Sequence, residues 1–300
     1  MKKKFVYLGD DKSINIEIID KSHKLLKHKV EYILLGNIND LSKYLIKLGS
    51  KLKINEIYNP INFEKYNKNK LNIFNIENIS SLKYENLLNQ IKIANHLSNF
   101  TNFDLVTMPI NKSIFKKNID FTGMTEYLAK INNKETQMLM LGEKFSIIPL
   151  TTHINLKEVN KFLKEEQLKK KLKKILQQIK RKMYYFSFKE IKFLCYNPHC
   201  SENDTLGSED KIIRNSLSKF KYISGPYAAD SAFKNFNSKT LFLSMYHDQA
   251  LIPFKILNKK GINLTMGLNY RRLSPTHGTA NDIIFKNLAE IKSFTACMEY

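Results

Sequence analysis

The chain has no tryptophan, and acids are scarce beside bases: 28 Asp and Glu against 49 Lys and Arg, a formal charge of +21. Cysteine is rare too. Cys195, Cys200 and Cys297 are odd in number and show no Cys-x-x-Cys spacing, which predicts free thiols and a reducing cytoplasm rather than a disulfide framework. No apolar run approaches the roughly 20 residues that span a bilayer, so no membrane partner is expected. The apolar stretch near the start, Phe5 to Leu8, is closed by Gly9-Asp10. It is too short for a signal peptide and reads as a first β-strand. Glycine-rich phosphate loops are missing as well. No Gly-x-Gly-x-x-Gly follows that strand, and the turn Gly9-Asp10-Asp11-Lys12-Ser13 lacks the glycines that let backbone approach a pyrophosphate. A nucleotide site of the ordinary Rossmann kind is therefore not expected, and no residue is assigned to cofactor binding.

What remains is globular. The hydrophobic fraction is 43%, with plentiful Phe and Tyr, in a length that suits one large domain or two ordinary ones. The surplus charge raises the question of a nucleic-acid partner. Its densest stretch, Lys157 to Lys192, carries Leu168, Leu172, Ile175, Leu176 and Ile179 at helical spacing. That predicts an amphipathic helix with a solvated basic face. Charge alone offers no base readout, so no nucleic-acid partner is expected.

Short β-like runs alternate with helical patterns along the chain. Strands are expected at Phe5–Leu8, Tyr32–Leu35, Leu71–Phe74, Phe103–Met108, Met138–Leu141, Ser146–Leu150, Ile191–Tyr196, Leu241–Tyr246 and Ile262–Leu268. Helices are expected at Ile14–His28, Asp40–Leu48, Tyr84–Leu97, Asn155–Lys164, Glu209–Ser218 and Gly278–Leu288. The alternation predicts an α/β protein with a sheet covered by helices. No Pro/Gly/Ser linker divides it, so a second domain would arise by insertion.

Dense polar clusters fall where strands should end: Pro149-Leu-Thr-Thr-His153, Tyr196-Asn-Pro-His199, Ser244-Met-Tyr-His247-Asp248-Gln249 and Ser274-Pro-Thr-His277-Gly278. Ligands of open α/β sheets collect beyond the carboxyl ends of strands. Imidazoles gathered there could hold zinc or a similar metal, and three protein ligands with an open position make a catalytic site. Any one of these histidines, taken alone, reads more readily as a hydrogen-bonded loop residue than as a ligand. Lys255, Asn263 and the pair Arg271-Arg272 supply the cation, amide and guanidinium that a phosphorylated carboxylic acid would need.

Taken in order, these clusters resemble the 4-hydroxythreonine-4-phosphate dehydrogenase family. The similarity runs through Leu105-Val-Thr-Met-Pro-Ile-Asn-Lys112, Phe121-Thr-Gly-Met-Thr-Glu126, Thr151-Thr-His153, Asn197-Pro-His199 and Leu206-Gly-Ser-Glu209. It continues through Gly225-Pro-Tyr-Ala-Ala-Asp230, Met245-Tyr-His-Asp-Gln249, Gly261-Ile-Asn-Leu-Thr-Met-Gly-Leu268, Arg272 and His277-Gly-Thr-Ala280. The resemblance implies two α/β/α domains with a cleft, as in isocitrate and isopropylmalate dehydrogenases. Residues 1–125 plus 265–300 would form the first, and residues 126–264 the second, with dimer contacts. It implies one divalent metal (Zn, Mg or Co) on His153, His199 and His247. Substrate contacts would fall on Met124, Thr125, Lys255, Asn263 and Arg272, and Lys255 and Asp248 are the catalytic candidates.

The reaction implied is NAD-dependent oxidation of 4-phosphooxy-L-threonine, then decarboxylation to 3-amino-2-oxopropyl phosphate, in vitamin B6 biosynthesis. NADP is left open as the cofactor. The family is homodimeric, with residues of both subunits in each site. The chain departs from the family pattern at Met124, where a histidine is usual, and in the loop Gly9 to Glu17, where internal glycines are gone. Met124 keeps open a sibling activity on threonate or erythronate 4-phosphate, and the charge keeps open, more remotely, a basic nucleic-acid-binding protein.

Overall fold

A computed structural model describes residues 1–115, 118–119 and 121–300. The chain divides into two compact units, Met1–Lys134 with Leu268–Tyr300, and Glu135–Gly267. The second is thus inserted into the first, with boundaries at 134/135 and 267/268.

The first unit opens with β1 (Lys2–Tyr7), α1 (Asn15–Leu26), β2 (Val30–Gly36), α2 (Ile38–Leu48), β3 (Ile54–Glu56), β4 (Leu71–Asn75), α3 (Lys83–Thr101), β5 (Asp104–Thr107) and α4 (Met124–Ile131). The inserted unit contributes β6 (Gln137–Leu141), β7 (Ser146–Pro149), α5 (Leu156–Val159), α6 (Glu165–Ile179), β8 (Glu190–Leu194), α7 (Glu209–Leu217), β9 (Ile223–Tyr227), α8 (Ala229–Ala232), β10 (Thr240–Ser244), α9 (His247–Leu257) and β11 (Ile262–Met266). The chain then returns to the first unit with β12 (Arg272–Pro275) and α10 (Lys292–Glu299).

Strands of the first unit run β3-β4-β2-β1-β5-β12, all pairs parallel. A parallel sheet is buried on both faces, which explains the unbroken apolar run Tyr32-Ile33-Leu34-Leu35. Its core joins Phe5, Ile33, Leu35, Leu105 and Tyr270 to Leu87 and Ile91 of α3. The order within the inserted unit is β11-β6-β7-β10-β8-β9. There β6 is antiparallel to both neighbours, and β7, β10, β8 and β9 are mutually parallel. Phe145 centres that core, with Phe233, Phe236, Phe242 and Phe254 around it. The expected amphipathic helix is α6, with Leu168, Leu172 and Ile175 buried. Each contributes roughly 1.5–3 kcal/mol of transfer free energy.

Two expectations need correction. Residues 278–288 do not form a helix but a single 3-10 turn at Asn281–Ile283. Ala280, Phe285 and Asn287 have φ of 46°, 61° and 57°, and residues in that left-handed region cannot continue a right-handed helix. The single helix expected at Asn155–Lys164 is only the four residues of α5 followed by a 3-10 turn at Asn160–Phe162.

Candidate functional site

The three predicted metal-binding histidines all lie in the inserted unit, each just past the carboxyl end of a parallel strand. His153 follows β7, His247 follows β10 and His199 follows β8. The sheet order β7-β10-β8 makes these three strands immediate neighbours, spaced about 4.8 Å apart. Backbone bonds carry two of the loops onward together. Leu150 N donates to Ser244 O at 2.8 Å, Thr151 N to Met245 O at 3.1 Å, and Thr151 Oγ1 to the same carbonyl at 2.6 Å. The rings of His153 and His247 consequently lie 5.6 Å apart, centroid to centroid.

His247 is the first residue of α9, and its Nδ1 shares a 2.6 Å hydrogen bond with Asp248 Oδ1. A carboxylate on one ring nitrogen fixes the ring and leaves the other nitrogen for a ligand. Gln249 of the same cluster donates from Nε2 to Cys195 O at 2.8 Å, tying the start of α9 to the end of β8.

His199 sits in an unusual turn. From His199 to Asp204 six consecutive non-glycine residues have φ between 41° and 69°, each costing roughly 1–2 kcal/mol against the right-handed form. Buried Asp210, at the start of α7, holds this turn. Its Oδ1 accepts from Tyr196 N at 2.6 Å, and its Oδ2 accepts from Asn197 N at 3.0 Å and Ser201 Oγ at 2.7 Å. Asn197 Nδ2 adds bonds to Ser201 Oγ and to Glu209 Oε2. Gly207 is required here. Its φ is +117°, and a Cβ would lie 2.3 Å from Glu209 Oε2. The recognisable run Leu206-Gly-Ser-Glu209 stops one residue short of Asp210. The sole signal was an acid following a dense polar run. Cys200, in the same turn, has its thiol pushed up to about 12 by burial first and by Cys195 next, which makes it a poor thiolate.

The geometry therefore unites His153 and His247. Among the described residues no group of three His, Cys, Asp or Glu side chains is disposed to hold a metal, so His199 does not complete a triad within the chain. The donor chemistry still suits a metal: two neighbouring imidazoles, one oriented by a carboxylate.

The remaining candidates divide between the units. In the inserted unit Lys255 is exposed on α9, and Asn263 is half-buried on β11 with its Oδ1 making no hydrogen bond among the described residues. In the first unit Arg272 is 4% exposed. Its Nε and Nη2 donate to Thr107 Oγ1 at 2.9 and 2.5 Å, and its Nη1 to Thr125 Oγ1 at 3.3 Å. Burial lowers its pKa to about 10. Thr125 lies in the first turn of α4, and Met124 beside it packs against the first unit's core. Arg271 forks onto Asp104 at 2.6 and 2.8 Å and serves the fold.

The first unit also has a cavity of about 350 Å3 at the carboxyl ends of its strands, lined by Gly9, Asp11, Asn37, Asp40 and Lys83. The altered opening loop forms part of its wall. Asn15 Nδ2 donates to Leu8 O at 2.9 Å and Pro109 O at 2.8 Å, so an amide side chain closes the seam between the β1 and β5 loops. Asp10 accepts from Lys12 N and Lys83 Nζ, and Glu17 accepts from Ala289 N. No helix among the described residues is long and apolar enough to cross a membrane.

Comparison with known proteins agrees with this architecture. A protein named 4-hydroxythreonine-4-phosphate dehydrogenase from Sulfurihydrogenibium sp. (strain YO3AOP1) is 32% identical over 100% of this chain and 97% of its own length. One of the same name from Aquifex aeolicus (strain VF5) is 35% identical over 97% of this chain and 95% of its own. The crystal structure of a 4-hydroxythreonine-4-phosphate dehydrogenase from Klebsiella pneumoniae shares the fold, with a TM-score of 0.82 at 24% identity, covering 100% of this chain and 98% of that one. The model of the pyridoxal phosphate biosynthetic protein PdxA matches residues 28–300. With its histidines ranked along adjoining strand ends and its full length matched by these relatives, the chain belongs to the PdxA family of pyridoxal phosphate biosynthetic proteins.

Proposed function

We propose that the chain oxidises 4-phosphooxy-L-threonine (4-hydroxythreonine 4-phosphate) with NAD and decarboxylates the product to 3-amino-2-oxopropyl phosphate. The observation that carries this reading is the pair His153 and His247, 5.6 Å apart on neighbouring strand ends. A divalent metal held by this pair would supply Lewis-acid polarisation of the substrate's reacting oxygen, and NAD would accept the hydride. The third ligand, His199, comes from a second copy of the chain. A shared site accounts for a strained, well-braced turn that presents His199 without joining the pair in its own chain.

Around that centre the side chains divide the work. Asp248 holds the His247 ring through its 2.6 Å bond, which makes it a positioning residue and leaves Lys255, as its neutral amine, to take the hydroxyl proton and become the ammonium. In the first unit Arg272, braced by Thr107 and Thr125, is a fixed guanidinium suited to an anionic group. Asn263, with its unengaged Oδ1, receives a donor.

Subunit complementation tests the reading. Purified His153→Ala and His199→Ala variants are each expected to be inactive in NADH formation with zinc, magnesium or cobalt. Mixed and allowed to exchange, they should regain part of wild-type activity, because one site of each hybrid dimer carries no substitution. Failure to regain activity, with hybrids demonstrated by mass, would place all three ligands in one chain.

The packing of Met124 against the core, where the family has histidine, favours one second reading: a sibling activity on threonate or erythronate 4-phosphate. Turnover of those acids without turnover of 4-phosphooxy-L-threonine would establish it.

A further inference from the structure

The enzyme reading leaves the densest basic stretch of the chain without a role. That stretch runs out of α6 into Lys180-Arg181-Lys182-Met183-Tyr184-Tyr185-Phe186-Ser187-Phe188-Lys189, where three cations lead into four aromatic rings and a fourth cation follows them. In the fold it walls a hollow of about 520 Å3 that also takes in Tyr222. Charge alone gave no reason to expect base recognition, but the structure adds ordered aromatic surface.

The aromatic wall is built in advance. Tyr184 is fully buried, and its hydroxyl accepts from Gly267 N at 2.8 Å. Phe186 stacks on Tyr184 with ring centroids 5.3 Å apart and planes 12° apart, and Phe188 follows Phe186 at 5.1 Å. Arg181 lies 5.7 Å from the Tyr184 ring centre. Tyr185 and Tyr222, which line the same hollow, are 78% and 77% exposed. Two large rings thus lie exposed beside four cations, Lys180, Arg181, Lys182 and Lys189. It is the combination used to stack a nucleobase and neutralise its phosphate.

The hollow is a different place from the histidine pair. Lys189 and Ile191 lie at the amino end of β8 and Tyr222 just before β9, whereas His199 follows the carboxyl end of β8. A strand of that length, Glu190–Leu194, spans roughly 16 Å. A nicotinamide in the hollow would be out of reach of the proposed chemistry, so the cofactor of the dehydrogenase is not its occupant.

We propose that this hollow binds a nucleobase with its attached phosphate, as presented by single-stranded nucleic acid or by a free mononucleotide. The proposal is independent of the substrate assigned above.

Fluorescence anisotropy of the full-length protein with fluorescein-labelled oligo(dT) and oligo(A) at physiological salt tests it, with AMP and duplex DNA as competitors. Tyr185→Ala and Tyr222→Ala should each weaken binding by about tenfold. Tyr185→Phe should retain affinity, since it retains the ring. All three variants should keep wild-type melting temperature and dehydrogenase turnover, because both tyrosines are exposed and at the opposite strand end. Competition by AMP at comparable base concentration would identify the mononucleotide as the source, and its failure to compete would identify the polymer. The proposal is overturned if the protein binds none of these probes. It is equally overturned if binding fades with salt identically in wild type and alanine variants, or if duplex competes as well as single strands, since both mark charge without stacking.

Discussion

Asp210 governs His199 without touching its ring. It accepts three hydrogen bonds from the turn that carries the histidine, and it does so fully buried. Asp210→Ala should therefore unfasten a backbone already held in the left-handed region and lower zinc affinity by about 10–100-fold, the range seen when support beyond the ligands is lost. Isothermal titration with zinc checks this. Ser201→Ala, which removes one of the three bonds, should fall between Asp210→Ala and wild type. A zinc affinity unchanged in both variants would mean that the turn holds its shape by itself. This support was not readable beforehand, because an acid that accepts from backbone amides leaves no periodicity and no spacing. The histidines were readable, since each lies a few residues past an apolar run that had to be a strand.

At the scale of elements, the apolar runs announced most of the sheet. Each of the nine expected strands is present, with ends displaced by a few residues. The strands that escaped notice lack the signal for physical reasons. β3 is only Ile54–Glu56, β9 contains Gly225-Pro226, and β12 reads Arg-Leu-Ser-Pro, with no alternation and a terminal proline. These strands depend on neighbours rather than on their own pattern. β12 is anchored by its flanking Arg271, whose fork grips Asp104, and Asp104 also pairs with Lys4 at 3.0 Å. Lys4 is completely buried and donates onward to Cys297 O of α10 at 3.0 Å. Burial lowers the Lys4 pKa, against the pull of Asp104. Asp104→Ala would strand that ammonium without its counter-charge and should cost about 3–5 kcal/mol in urea unfolding. A loss under half that size would show that water reaches Lys4.

For the whole molecule, acid sensitivity should originate in the first unit. His23 is held below the ordinary histidine pKa by burial first and by Lys27 next, and His277 by burial. Well above the ordinary histidine value of about 6.5 both are neutral whether folded or not, so they leave stability unchanged. As pH falls through that value the unfolded chain binds protons that the folded form resists, and stability is lost down to the folded pKa values. The urea midpoint should thus drop between about pH 7 and pH 5, and His23→Gln should flatten the drop. An unaltered slope in that variant would assign the acid sensitivity to other groups. What no sequence pattern could reveal is the turn that carries His199, a run of left-handed residues containing no glycine to advertise it.

The return of the chain to its first unit has a bearing on how the protein is made. The first unit's sheet includes β12, which does not exist until residue 275 has been polymerised. The inserted unit has all its strands by residue 266. Although its residues are translated later than β1 to β5, the inserted unit is therefore the first that can finish folding on the ribosome. Meanwhile the Asp104 side of β5 must wait, without its neighbouring strand, through the whole synthesis of the insert. At about 5–20 residues per second this interval lasts on the order of ten seconds or more. During that time an unpaired parallel edge is open to chaperones and to mispairing, and any slowing of translation within the insert lengthens the exposure.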